Sequence, residues 1–136
     1  MIYALIMSYV LDFFHLTGSD VVSPDSITVI SLISLLFSMM GEELLKFIPF
    51  MFFLRLFFKY SNNRKTSVIV SAFTVMMLFG LLHAPDFKSI ASVLIIQGLG
   101  SVFEFYAYIK TKNLLVSYLT HLLTDAFLFS MMFLGL

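Results

Sequence analysis

The sequence predicts an all-α fold, a multi-pass transmembrane helical bundle of about five helices. Sixty per cent of the 136 residues are hydrophobic and only 12% are charged, against about 25% charged in soluble domains. The mean hydropathy is +1.02. Apolar segments recur along the chain, each close to the roughly 20 residues that a bilayer-spanning helix needs. They cover about 1–16, 27–58, 67–83, 89–109 and 114–134.

The first segment is short and is interrupted by Asp12 and His15, which we expect at the membrane interface. It lacks the basic start and small-residue cleavage site of a signal peptide. A polar stretch with glycine and proline follows at 17–26. The whole chain, 1–136, is therefore predicted to be a single membrane domain. It divides into an N-terminal helix and loop, 1–26, and a four-helix core, 27–136.

The remaining segments are separated by polar or helix-breaking residues. The second is longer than a span requires and ends in a basic loop at 59–66. The third ends before Pro85, because proline disfavours helical backbone in the residue that precedes it. A tight basic turn at 110–113 separates the fourth from the fifth.

Loop charges predict the orientation. Loops after the second and fourth segments hold five lysines and arginines, whereas the opposite loops hold only Lys88. The positive-inside rule then places the N-terminus on the inner side of the cell membrane. It places Asn62 and Lys112 on the same inner side, and Asp20 and Asp86 on the outer side. The formal net charge of zero gives no electrostatic footprint for nucleic acid. The absence of cysteine excludes disulfides, thiolate metal sites and cysteine nucleophiles.

Several ionisable residues lie at predicted bilayer depth, where a charge costs roughly 2.5–3.5 kcal/mol and usually marks function. At ~1.5 Å per helical residue, Glu42 and His83 lie roughly 25 Å from the inner ends of their helices, Asp125 about 18 Å and His121 about 12 Å. Three helices thus bring acids and imidazoles into one slab of the membrane. The full set is Glu42, Glu43, Lys46, His83, Glu104, His121 and Asp125.

Local spacing sharpens this prediction, because residues three or four apart share a helix face. His121 and Asp125 form such a pair, and so do Phe79 and His83. Lys46 follows Glu42 by four residues and Glu43 by three, so it can neutralise either glutamate.

Each feature also has a structural interpretation. Glu42, Glu43 and Lys46 could be an ion-pair cluster that joins helices. His83 could end a helix at the interface, and His121 with Asp125 could form an interhelical hydrogen-bonded pair. Glu104, among aromatic residues and near the basic turn, is expected to be structural, with a tyrosine or lysine partner.

Three motifs together resemble those of the CAAX protease and bacteriocin-processing family, known as CPBP or Abi and related to type II CAAX prenyl endopeptidases. They are Glu42-Glu43-Leu44-Leu45-Lys46, Phe79-Gly80-Leu81-Leu82-His83 and His121-Leu122-Leu123-Thr124-Asp125. The family pattern is a di-glutamate followed by a basic residue, then F-x-x-x-H, then H-x-x-x-N/D. The likeness covers about residues 27–129. One departure is that the family's arginine position holds Phe47, with the basic residue one place earlier.

This resemblance implies an intramembrane endopeptidase acting on a membrane-associated peptide or protein. The small size, with five helices, suggests a bacterial protein of the plasma membrane. Glu42 or Glu43 with His83 would activate water, and His121 with Asp125 would occupy the oxyanion and orienting positions. Lys46 and Phe79 would support them. We expect no cofactor. The alternative is a zinc ion held by Glu42, His83 and His121, since a catalytic zinc needs three protein ligands and an open position.

The first motif is also similar to that of PrsW-type membrane proteases, whose other motifs fit poorly. Bacteriocin processing and self-immunity are the biological settings that the resemblance implies. Two other functions stay open: a non-catalytic immunity or interaction protein, and a small transporter or channel subunit.

Overall fold

The computed structural model describes residues 2–13 and 29–133, and within these ranges the chain is helical without strands. This confirms the all-α prediction. Within the described ranges five helices follow one another. His15, Asp20 and the side chain of Asp12, which the sequence places in or next to the first loop, lie outside the described part of the chain. The helices are α1 Ile2–Phe13, α2 Val29–Ser61, α3 Arg64–Leu82, α4 Ile90–Thr111 and α5 Leu114–Phe133.

The connection between α2 and α3 is only two residues long, so the expectation of a basic loop at 59–66 is wrong. Asn62 adopts a left-handed backbone conformation with φ of 50°. The side-chain oxygen of Asn63 accepts a hydrogen bond from the Thr66 amide at 3.2 Å and caps α3. Lysine and arginine are good helix formers, so the helices continue beyond the apolar stretches that the sequence marks.

Helix α4 changes its winding where it meets α3. The two ends of α4 are α-helical, and between them lie a π-helical turn at Leu94–Gly98 and a 3₁₀ turn at Leu99–Ser101. Gly98 lies against the α3 backbone, because a Cβ atom there would sit 2.9 Å from the Met76 carbonyl oxygen. Small residues allow membrane helices to approach this closely. The crossing fixes α4 relative to the Phe79–His83 end of α3.

An aromatic core fills the bundle between α2, α3 and α4. The rings of Phe47 and Phe105 have centroids 5.0 Å apart, and those of Phe47 and Tyr108 are 4.4 Å apart. The buried members are Phe47, Phe50, Val75, Met76 and Phe105. Helices α3 and α4 are both long and apolar enough to cross a membrane. Lys46 and Glu104, which are also buried, directly precede Phe47 and Phe105 of this core.

Candidate active site

Helix α2 presents its two adjacent glutamates to different surroundings. The side chain of Glu43 is completely buried, whereas that of Glu42 is 29% exposed. Successive residues in an α-helix point about 100° apart. One glutamate therefore faces the interior of the bundle while the other faces its surface.

Lys46 neutralises the inner glutamate and a second acid from α4. Its buried Nζ lies 2.5 Å from Glu43 Oε1 and also forms an ion pair with Glu104 Oε2. The same ammonium lies 4.8 Å from the centroid of the Phe79 ring, in a cation–π contact. Glu104 thus has the lysine partner expected for it, and that lysine comes from α2 rather than from the nearby basic turn.

His121 of α5 connects the buried acid to the half-exposed ones. Its Nδ1 lies 3.1 Å from Glu43 Oε1. Its Nε2 lies 3.5 Å from Asp125 Oδ2 and 3.8 Å from Glu42 Oε2. The imidazole therefore stands between the interior network on one edge and two carboxylates on the other.

Buried hydroxyl contacts hold the helices that carry these groups. Ser117 of α5 is fully buried and donates to the backbone carbonyl of Glu104 at 3.1 Å. This bond joins α4 to α5 one helical turn before His121. Glu43 Oε2 accepts no hydrogen bond from any residue within the described ranges.

His83 is the C-cap residue of α3 and contacts Phe79, which in turn contacts Lys46 of the buried cluster. Its ring centroid lies 4.5 Å from that of Phe79, and its Nδ1 lies 2.9 Å from the Phe79 carbonyl oxygen. Among the described residues, no carboxylate oxygen lies within ion-pair distance of the His83 ring. Direct pairing of His83 with Glu42 or Glu43 stays a prediction.

The cluster of possible metal ligands differs from the set considered from the sequence. Oxygen and nitrogen atoms of Glu43, Glu104 and His121 lie within 4.8 Å of one another. However, the Lys46 ammonium contacts both carboxylates and lies 3.4 Å from His121 Nδ1. A cation already occupies the centre of these ligands, so they do not fit a metal ion while Lys46 is in place.

Glu104 was not among the residues assigned to chemistry from the sequence. Its predicted depth in the membrane could have placed it level with His121. It lies nine residues before Asn113, and His121 lies eight residues after it. At ~1.5 Å per residue both are about 12–14 Å from the same turn. The aromatic residues around Glu104 obscured this signal.

An all-helical bundle with a buried acid–lysine–imidazole centre defines a class: polytopic membrane proteins with an ionisable interior. Comparison with families of known proteins makes this specific. The family described as "Type II CAAX prenyl endopeptidase Rce1-like" matches residues 23–127, and the chain belongs to it. Its members are membrane-embedded CAAX proteases, which are hydrolases, and the resemblance stated from the motifs is confirmed. No curated protein and no solved structure matches the chain.

Proposed function

We propose that the chain is an intramembrane endopeptidase that cuts a membrane-associated peptide or protein with water activated by Glu42 and His83. One observation carries the choice of base. Glu43 is fully buried and bound to Lys46 and His121, whereas Glu42 is partly exposed and has no ion pair with Lys46. A general base needs a carboxylate that is open to water. Glu42 Oε2 lies 3.8 Å from His121 Nε2, beyond hydrogen-bonding distance, and the Glu42 side chain is 29% exposed.

The hydrogen bond of His83 suits it to work with Glu42. Its Nδ1 lies 2.9 Å from a carbonyl oxygen, which only accepts hydrogen bonds. We therefore assign the proton to Nδ1, which leaves the Nε2 lone pair free. A water molecule held between that lone pair and the Glu42 carboxylate would be oriented for attack.

His121 is suited to stabilise the oxyanion. We assign one proton to Nδ1, which then donates to Glu43, and a second to Nε2, which faces Glu42 and Asp125. An ionised Asp125 cannot donate a hydrogen bond, so its role is to orient the His121 ring. Removing one donor from an oxyanion site costs roughly 2.7–4 kcal/mol in activation energy.

The proposed reaction balances with these groups alone. Glu42 takes one proton from water, and the water oxygen attacks the carbonyl carbon of the substrate. The resulting oxyanion accepts the Nε2 hydrogen bond of His121. When the C–N bond breaks, the proton held by Glu42 passes to the departing amine, and the products are a carboxylic acid and an amine. We propose that no cofactor takes part. The Lys46 ammonium lies where a metal ion held by Glu43, Glu104 and His121 would bind.

Substitution of each glutamate tests the assignment. The purified chain in vesicles would be offered a farnesylated C-terminal CAAX peptide and a double-glycine leader peptide, with products identified by mass spectrometry. Glu42→Gln should lower turnover by about 10²–10⁴-fold, the usual contribution of a general base. Glu43→Gln, the matched control one residue away, should mainly lower stability.

The reverse result would exchange the two roles. Full cleavage by both variants and by His83→Ala would overturn this assignment of the catalytic residues. No cleavage of either peptide by the wild type would overturn the protease proposal and leave a non-catalytic membrane protein. Transport without cleavage would favour a transporter or channel subunit. Activity lost to a chelator and restored by zinc would replace the metal-free mechanism. Cleavage of the farnesylated peptide would indicate prenylated substrates. Cleavage of the leader peptide would support the bacteriocin processing or immunity that we propose for a bacterial plasma membrane.

A further inference from the structure

The end of the bundle that carries the α2–α3 and α4–α5 turns is strongly basic. No aspartate or glutamate occurs at 44–85 or at 105–124. Six of the eight lysines and arginines lie at this end, and the proposed chemistry uses none of them. They are Arg55, Lys59, Arg64, Lys65, Lys110 and Lys112.

Two of these residues line a cavity between the end of α2 and the start of α3. Its volume is about 260 Å³, and its lining consists of Leu54, Arg55, Phe58 and Arg64. Arg55 lies six residues before the end of α2 and Arg64 is the first residue of α3. The cavity therefore combines two guanidinium groups with the apolar side chains of Leu54 and Phe58.

The two guanidinium groups have no acidic partner in the part of the chain that is described. No carboxylate there lies within 4.0 Å of either of them. By contrast, Lys110 at the other turn lies 5.6 Å from the Tyr106 ring centroid. The cavity is thus the place at the basic end where two arginines converge and lack a counter-charge.

We propose that this cavity binds the phosphate of an anionic phospholipid. Arginine presents a planar fork of donors that matches phosphate oxygens in bidentate fashion. Basic pockets between membrane helices on the cytoplasmic side are suited to acidic lipid headgroups. Leu54 and Phe58 then receive the glycerol backbone and the first methylene groups. A soluble phosphate ion would leave these apolar walls exposed, so the lining favours a lipid.

Native mass spectrometry of the purified full chain in detergent tests the proposal, with phosphatidylglycerol and phosphatidylcholine as probes. The wild type should retain phosphatidylglycerol in preference. The double variant Arg55→Gln/Arg64→Gln should bind it about thirtyfold more weakly, since each basic residue near an anionic headgroup contributes about fivefold. The matched control Lys110→Gln/Lys112→Gln removes the same charge from the other turn and should change retention little.

Two further variants make the result specific. Arg55→Lys/Arg64→Lys keeps the positive charge and loses the planar fork of donors. Its affinity for phosphatidylglycerol should therefore fall between that of the wild type and that of Arg55→Gln/Arg64→Gln. It also carries the test if the glutamine variant fails to keep its helical circular dichroism. Glu42→Gln should bind phosphatidylglycerol as the wild type does, which separates this site from the proposed hydrolytic one.

Equal weakening in the two glutamine pairs would show diffuse attraction to the basic end and would overturn the site. Equal retention of phosphatidylcholine would also overturn it. If inorganic phosphate displaced phosphatidylglycerol completely from the wild type, the occupant would be a free anion rather than a lipid.

Discussion

His121 lies between two groups of acidic residues that differ in burial and in their pairing with cations. On its Nδ1 side, the inner network of Glu43, Lys46 and Glu104 is buried and every charge has a partner. On its Nε2 side, Glu42 and Asp125 are 29% and 32% exposed and lie 3.8 and 3.5 Å from the ring. The inner carboxylates are held by cations, and the outer ones are open to water.

The difference follows from the cost of burying charge. A buried ion must be paired and hydrogen-bonded, because its desolvation is otherwise too costly. A carboxylate paired with a cation in this way is a weak proton acceptor, because the neighbouring positive charge favours its ionised form. Placing one glutamate in each environment lets a single helix provide both an anchor for His121 and a free base.

The largest expected effect is on catalysis at the outer face. His83→Ala should lower turnover of a cleaved peptide by about 10²–10⁴-fold, because a positioned base contributes that much. The double variant Glu42→Gln/His83→Ala should lose little more than the worse single variant, since residues that act as a unit are not additive.

Leu82→Ala is the control for that experiment, because Leu82 is the exposed neighbour of His83 on α3. Losses that multiply in the double variant would mean that His83 works independently of Glu42. Rates measured at saturating peptide would keep binding differences out of the comparison.

The inner network should respond in stability instead. Lys46→Met leaves Glu43 and Glu104 buried without their cation and should lower the free energy of unfolding by about 3–5 kcal/mol. Lys46→Met/Glu104→Leu removes one of those acids as well and should recover a large part of that loss. Denaturant titration in detergent, followed by circular dichroism, measures both.

If Lys46→Met were as stable as the wild type, the inner acids could not depend on this lysine. The contrast between the two sides of His121 would then lose its physical basis. Glu42→Gln serves as the reference here, because loss of a partly exposed charge should leave stability nearly unchanged.

A smaller effect is expected where α4 crosses α3. Gly98→Ala would place a Cβ 2.9 Å from the Met76 carbonyl oxygen, so α4 must move and carry Glu104 with it. We expect a loss of about 1–3 kcal/mol, as for other overpacked sites. Gly41→Ala meets nothing within 4 Å and should gain about 0.5–1 kcal/mol from its higher helix propensity. Thermal unfolding that ranked the two variants the other way would refute the close crossing.

The smallest effect concerns the loop that follows His83. Hydrogen bonds from the Ser89 backbone amide and side chain hold the pKa of Asp86 below its ordinary value, so folding favours the charged carboxylate. Its stabilising contribution is complete above the ordinary value of about 3.9 and disappears as the pH falls through the lowered value.

Proteolysis of the loop between α3 and α4 should therefore be unchanged from neutral pH to about pH 5 and increase only in stronger acid. Asp86→Asn keeps an acceptor for the Ser89 amide and should remove the pH dependence. Persistence of the acid response in that variant would assign it to another group.

Much of this architecture could be predicted from local sequence. Apolar length located the five helices, and four-residue spacing placed His121 beside Asp125. Helical spacing also allowed Lys46 to pair with either glutamate, because residues three apart and residues four apart both share a helix face. The choice of Glu43 depends on α4, whose Glu104 binds the same ammonium from 58 positions away. No local pattern contains that information.

Helix ends and irregular winding were also beyond hydropathy. The basic residues 59–66 suggested a loop, but two asparagines suffice for the turn because one adopts a left-handed conformation and the other caps α3. The π-helical turn of α4 lies opposite Gly80 and Met76 of α3, so it depends on a partner helix that single-segment patterns cannot see.

The pairing of Glu43 with Lys46 within one helix bears on how the chain enters a membrane during synthesis. When α2 emerges from the ribosome, neither Glu104 nor His121 has yet been made. The three-residue spacing lets Glu43 and Lys46 neutralise each other at once, so α2 reaches the lipid with one unmatched charge near its middle, on Glu42, instead of three. Each charge avoided saves roughly 2.5–3.5 kcal/mol of insertion cost. Lys46 thus lowers the insertion cost of α2 during synthesis, before it forms its second ion pair, with Glu104, in the folded bundle.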